Sequence, residues 1–186
     1  MPTRRATLAA VAAACAPLAG CSRSRTSSDP GKCDPTSAAF DDGEAIPARY
    51  TCDGTGVSPP VSLDAPAGAA TWALVVTDPD APNGTFTHWL LWNVPADADL
   101  PSGVPHGRTV ASLDGAQQGE NGFGDYGYGG PCPPAGDDPH TYRFDAYAVG
   151  GALDVDADIT RDALVDAIYD ADLVTGGTLR ATYERA

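Results

Sequence analysis

Asp78 and Asp80 stand two residues apart in "DPDAPNGTFTHW" (78–89), and His88 follows eight residues after Asp80. Carboxylates at alternate positions of extended backbone face one side. If one strand leaves the core before this stretch and the next re-enters at His88, Asp78 and His88 meet at one end of a sheet. A second histidine, His140, directly follows a Gly/Pro-rich stretch and directly precedes "TYRFDAYAV" (141–149). The third and last histidine, His106 in "GVPHGR", lacks such a setting and is expected on the surface. Three chemistries can use this set. Asp78, Asp80, His88 and His140 can supply the ligands of a metal hydrolase with one open position for activated water. Alternatively, imidazole N–H groups and backbone amides hold a phosphate-like anion while the carboxylates buttress the loop. Nucleophilic catalysis needs Ser or Cys beside a base, yet no G-x-S-x-G elbow occurs, and Cys132 lies between prolines where no helix N-terminus activates it. A purely structural reading also stands, in which the two aspartates accept turn amides.

The elements that must position these residues are short apolar stretches cut by Pro and Gly. "AIPARYT" (45–51), "VSL" (61–63), "TWALVVT" (71–77), "HWLLWNVP" (88–95) and "TYRFDAYAV" (141–149) read as strands by length and by β-branched or aromatic content. In the last, Tyr142, Phe144, Ala146 and Ala148 share one face, which predicts a half-buried strand. "TWALVVT" and "WLLWNV" are apolar on both faces and belong mid-sheet or against a second layer. Thr160 is placed to cap "RDALVDAIYDA" (161–171), whose apolar stripe of Ala163, Leu164, Ala167, Ile168 and Ala171 predicts a packing helix. Gly176 and Gly177 are expected to stop it before a last strand, "TLRATYE" (178–184), with Tyr169 and Asp170 solvated. The pattern predicts a mainly β protein, an antiparallel sandwich with a C-terminal helix. Residues 119–139, "GENGFGDYGYGGPCPPAGDDP", hold seven glycines and four prolines, too dense for a strand or helix interior. Phe123, Tyr126 and Tyr128 within it want burial, so the stretch is expected to be an ordered loop whose backbone amides approach an anion.

Composition bounds the rest. The 186 residues suffice for one domain. Residues 1–21 read as a signal peptide: Arg4 and Arg5 resemble a twin-arginine export signal, and Leu18, Ala19, Gly20 and Cys21 resemble a lipobox in which Cys21 becomes the lipidated first residue. Residues 22–35 are expected to be a flexible tether and residues 36–186 the domain. Loss of Arg4 and Arg5 with the leader leaves nine basic groups against 25 acidic ones, a formal charge of −16, with Lys32 the single lysine. So acidic a surface excludes nucleic acid as a partner, repels anionic lipid heads and fits a halophilic, solvated exterior. Of five cysteines, Cys15 leaves with the leader and Cys21 is lipidated. Cys33, Cys52 and Cys132 remain, with no C-x-x-C spacing for zinc. Export permits a disulfide; the sequence does not choose the pair, and Cys52 with Cys132 is preferred.

"RYTCDGTGVSPP" (49–60), "DPDAP" with "THW", "YGGPCPP" and "HTYRF", in that order, resemble the phosphatidylethanolamine-binding protein family in its bacterial and archaeal Raf kinase inhibitor-like branch. The resemblance runs over residues 36–185. It implies a sandwich of two antiparallel sheets, a C-terminal helix, and a small pocket for phosphate, acetate or a phospholipid head group. By position it assigns Asp78, Asp80 and His88 to one pocket segment, and Gly130, Pro131, His140 and Tyr142 to the other. Asp78 would line the floor, the two histidines the wall, and Asp80 would brace the loop. Eukaryotic members carry a longer, aromatic-bearing segment before the first pocket histidine; here there is only "NGTFT", with Phe86 the nearest candidate. The function expected is a non-enzymatic binding protein without cofactor or metal, anchored outside the cytoplasmic membrane through Cys21. The alternative is an inhibitor or regulator of an exported or membrane protease or kinase partner, and a metal-dependent hydrolase stands third.

Overall fold

The computed structural model describes residues 33–185. The expected leader, its Cys21 and residues 22–32 lie outside the described residues. Six strands, β1 (Thr71–Asp78), β2 (Phe86–Pro95), β3 (Thr109–Val110), β4 (Ala116–Gln118), β5 (His140–Val149) and β6 (Leu173–Tyr183), form one antiparallel sheet in the order β3-β4-β2-β1-β5-β6. The long strands β1, β2 and β5 sit centrally. This agrees with their composition: residues 72–78 of β1 are all buried, and in β5 the buried residues include Tyr142, Phe144, Ala146 and Ala148 while Arg143 is exposed.

Alternation along the strands builds two cores. On the inner face Trp72, Leu74, Val76, Trp89, Leu91, Tyr142 and Phe144 pack with Phe40, Ile46, Tyr50 and Val61 from the preceding chain. On the outer face Ala73, Val75, Leu90 and Trp92 meet Leu164 and Ile168 of α1 (Arg161–Asp170), the one α-helix among the described residues. Thr160 caps that helix through its hydroxyl, which accepts from the Ala163 amide at 3.3 Å. No helix among the described residues is long and apolar enough to cross a membrane.

The expected sandwich takes a different form. Among the described residues one open sheet is flanked by α1 on one face and by irregular chain on the other, where isolated bridges at Thr36–Ser62 and Val61–Leu100 stand in place of a second sheet. "AIPARYT" is not a strand, because Pro47, at φ −60°, leads into a 3-10 turn over Ala48–Tyr50. Gly176 and Gly177 do not stop α1, which ends at Asp170; they lie inside β6. Chain 33–34 crosses Gly177 so closely that a Cβ there would sit 2.5 Å from the Cys33 carbonyl oxygen. That crossing also shortens the tether: Cys33 is buried, and its thiol donates to the Asp64 carbonyl at 3.2 Å. The free edge of β6 is covered as well, with Gly43 and Ile46 amides donating to Arg180 and Thr182 carbonyls, the Thr182 amide to Glu44, and the Arg180 amide to the Asp42 carboxylate.

Candidate functional site

Asp78 ends β1, His88 lies near the start of β2, and His140 opens β5, so all three fall at one end of the sheet. Two of them arrive there by simple alternation. Asp78 continues the inner face of Trp72, Leu74 and Val76, and His140 continues that of Tyr142 and Phe144. His88 does not, since unbroken alternation would put it on the outer face with Leu90. The register supplies the answer: Val76 pairs with Trp89 but Thr77 with Thr87, so His88 is the extra residue of a β-bulge. A bulge turns a side chain out of sequence with its neighbours, and here it aims the imidazole inward beside Tyr142, ring centroids 5.2 Å apart.

The three side chains are nearly buried, with 4 % exposure at Asp78, 3 % at His88 and 6 % at His140. The His140 Nδ1–H donates to Asp78 Oδ2 at 2.7 Å, and the Asp80 amide donates to Asp78 Oδ1 at 2.9 Å. Both carboxylate oxygens are therefore engaged. The His88 Nδ1–H donates to the Gly129 carbonyl at 2.7 Å, which fixes the tautomer and leaves Nε2 for a ligand. Burial, above all, holds the His88 pKa below its ordinary 6.5, so the neutral ring is favoured. His140 Nε2 approaches Asp137 Oδ2 at 4.0 Å. Behind the two imidazoles the Tyr142 hydroxyl is buried without a hydrogen bond of ordinary geometry, and burial together with the nearby Asp78 charge raises its pKa.

Together with Ala81, Pro82, Phe86, Phe123 and the run Cys132–Pro133–Pro134, these groups line a cavity of about 190 Å³. The expected residues divide around it. Asp78, His88 and His140 line it; Tyr142 forms the layer beneath. Asp80 faces an adjoining crevice with Asp137 and Asp138, and its Oδ2 accepts the Thr141 amide at 2.8 Å, bracing the loop. Gly130 and Pro131 do not line the cavity. They dock the loop onto residues 50–52, where the Pro131 carbonyl accepts the Cys52 amide at 3.0 Å and the Cys52–Cys132 disulfide follows, Cα atoms 5.4 Å apart. A Cβ on Gly130 would meet the Tyr50 carbonyl oxygen at 2.9 Å and Thr51 Cα at 3.1 Å. Both are backbone atoms, so Gly130→Ala is expected to cost about 1–3 kcal/mol, seen as a lower thermal midpoint with secondary structure retained.

The glycine-rich loop is ordered, and several of its amides are spent on the sheet. Gly119, Gly122 and Gly129 donate to the Leu90, Thr87 and His88 carbonyls, laying the loop along β2. Its glycines make room for rings instead: a Cβ on Gly122 would strike Phe86, and one on Gly129 would strike Phe123. Buried Asn121 organises the turn, with Nδ2 donating to the Gly127 carbonyl at 2.9 Å and Oδ1 accepting the Phe123 amide at 2.8 Å. Sequence reasoning passed over Asn121, and no spacing signal marks it. Tyr128 takes the burial expected of it, donating to the Tyr50 carbonyl at 2.9 Å, and His106 is exposed. The four metal-ligand candidates are used otherwise, His140 on Asp78 and Asp80 on a backbone amide. Among the described residues no group of three or more His, Cys, Asp or Glu side chains gathers as a metal site.

A central antiparallel sheet carries two inward histidines and an aspartate around a small cavity at one end, and comparison with known chains gives the family. The family model "Phosphatidylethanolamine-binding protein" matches residues 36–184, and the chain belongs to that family. A UPF0098 protein of Pyrococcus abyssi is 40 % identical over 150 residues, covering 80 % of this chain and 84 % of the relative. The crystal structure of a Chlamydia trachomatis protein described as a phosphatidylethanolamine-binding protein homologue superposes with a TM-score of 0.73 at 35 % identity, over 84 % of this chain and 99 % of that one. A Mycobacterium tuberculosis protein whose name describes it as a lipoprotein, LppC, is 39 % identical over 141 residues, covering 73 % of this chain and 64 % of its own length.

Proposed function

We propose that the chain is a non-enzymatic binding protein whose cavity takes a small anion of the phosphate or carboxylate class, free or as a phospholipid head group. The observation that carries this reading is the pair of pre-oriented imidazoles. Each has Nδ1 held by a fixed acceptor, Gly129 O for His88 and Asp78 Oδ2 for His140, so that each Nε2 remains for the ligand. No lysine or arginine lines the cavity, and the positive charge an anion meets there must come from imidazole. The lipobox-like segment ending in Cys21, and a relative named as a lipoprotein, support anchorage outside the cytoplasmic membrane. One chain alone gives marginal anchoring, and a domain of this charge gains nothing from an anionic leaflet.

The test is a titration of phosphate, acetate and phosphorylethanolamine against the ring signals of His88 and His140. Both rings are expected to shift on saturation, and no response in either ring to any of the three overturns the reading. Proton linkage gives a second readout. The free His88 ring titrates below 6.5, and an anion at Nε2 favours the protonated ring, so binding takes up a proton. Affinity for sulfate, whose charge is constant in this range, is expected to rise as pH falls from the bound ring's pKa toward the lower pKa of the free ring, by up to tenfold per unit. His88→Gln should flatten that dependence; an affinity independent of pH in the parent protein would remove His88 from the binding step.

A further inference from the structure

We propose that the preferred ligand of this cavity is a small acid carrying an aromatic ring, and that Phe123 selects for the ring. The inference rests on the acid-binding reading above and extends it to the body of the ligand. The cavity is larger than its polar groups require. An apolar cavity of roughly 150 Å³ holds benzene, and a water occupies about 30 Å³ of liquid. A volume of about 190 Å³ thus has room for one six-membered ring and an acid group, far more than a bare phosphate or acetate fills.

The walls are distributed to match. The imidazoles and Asp78 are the cavity's polar groups, while most of the other lining residues, Pro82, Phe86, Phe123, Pro133 and Pro134 among them, are apolar. Phe86 and Phe123 meet edge to face at 4.8 Å, and the His88 ring lies 4.9 Å from Phe86 and 5.8 Å from Phe123. These spacings are those of packed aromatic clusters, and a further flat ring against the two pyrrolidines continues the packing. Phe123 is 52 % exposed. Its exposure is held in place by the surrounding loop: the Asn121 side chain ties its amide, and Gly129 opens the space in which its ring lies. A large apolar side chain fixed half in solvent at a cavity mouth gains when a ligand covers it. Of the exposed large hydrophobic residues Phe123, Tyr169 and Val174, it is the one on this cavity.

Calorimetric titration of the full-length protein with phenyl phosphate against inorganic phosphate, and with benzoate against acetate, tests the proposal. Each aryl acid is expected to bind at least tenfold more tightly than its bare counterpart. Phe123→Ala should cut the aryl affinity about tenfold further than it cuts that for inorganic phosphate; Phe123→Trp should keep the preference. Because the side chain is half exposed, an unchanged melting temperature separates a binding effect from misfolding. Equal affinity of aryl and bare acids, or a preference that survives Phe123→Ala, overturns the inference while leaving the anion reading intact. Phenol binding as tightly as phenyl phosphate overturns it as well, since the acid group then contributes nothing. If none of the four acids binds, both readings fall.

Discussion

Reduction of the Cys52–Cys132 disulfide is expected to lower the unfolding free energy by about 3–5 kcal/mol and to weaken ligand binding in the same step. The two cysteines are 80 residues apart in sequence, and opening a loop of that size returns about 4–5 kcal/mol of chain entropy to the unfolded state at 25 °C. Residues 52 and 132 are both exposed, so a thiol reagent reaches the bond without prior unfolding. The coupling to binding follows from position. Cys132 and the two prolines after it line the cavity, and the chain returns from them to His140, which lines it as well. After reduction the Cys52 amide to Pro131 carbonyl hydrogen bond and the close packing of Gly130 still hold the loop's base. Partial retention of affinity is therefore expected, a loss of about threefold to tenfold. Denaturant unfolding with and without reductant, repeated on the Cys52→Ser, Cys132→Ser double variant, measures the first effect. An unchanged midpoint in both would show that the crosslink stabilises nothing.

Asp78→Ala is expected to be the most damaging single change at the site, at about 2–4 kcal/mol, because it leaves buried hydrogen-bond donors without their acceptor. Two donors lose their acceptor together, the His140 Nδ1–H and the Asp80 amide, in a place where Asp78 is 4 % exposed. Freed from Asp78, the His140 ring can rotate, so ligand-induced shifts of its signals should vanish even at saturating phosphate. Asp80→Ala is the matched control. Asp80 is exposed and holds one amide, that of Thr141, so about 1 kcal/mol is expected with the His140 response preserved. Equal losses from the two variants, or a normal His140 response in Asp78→Ala, would mean that Asp78 does not orient the ring.

Much of this site was legible because alternation is a local property. The two-residue period of "HTYRF" is enough to send His140 and Tyr142 to one face, and the family motifs point to these residues and to Asp78. The bulge at His88 was not legible, since it depends on how β2 registers against β1, which no single stretch encodes. The same limit explains Gly130 and Pro131, whose motif places them near the pocket but whose work is to meet residues 50–52, some eighty positions earlier. It also explains the glycine pair in β6. In sequence it follows a helix and looks like a stop; in space it is where chain 33–34 passes over the strand. The glycines of the 119–139 loop misled in chemistry rather than in order, because a glycine that admits an anion and one that admits a phenyl ring look alike in sequence.

The covered margin of β6 bears on how the protein behaves in company. An unpaired strand edge is a template for another chain, and molecules crowded on a surface meet such edges often. Here residues 42–46 already occupy the hydrogen-bonding groups of Arg180 and Thr182, so a neighbouring copy finds no row of free amides to extend along that side. The acidic surface then acts on molecules that lack a ready route to sheet-to-sheet polymerisation at this margin, and crowding need not end in fibres.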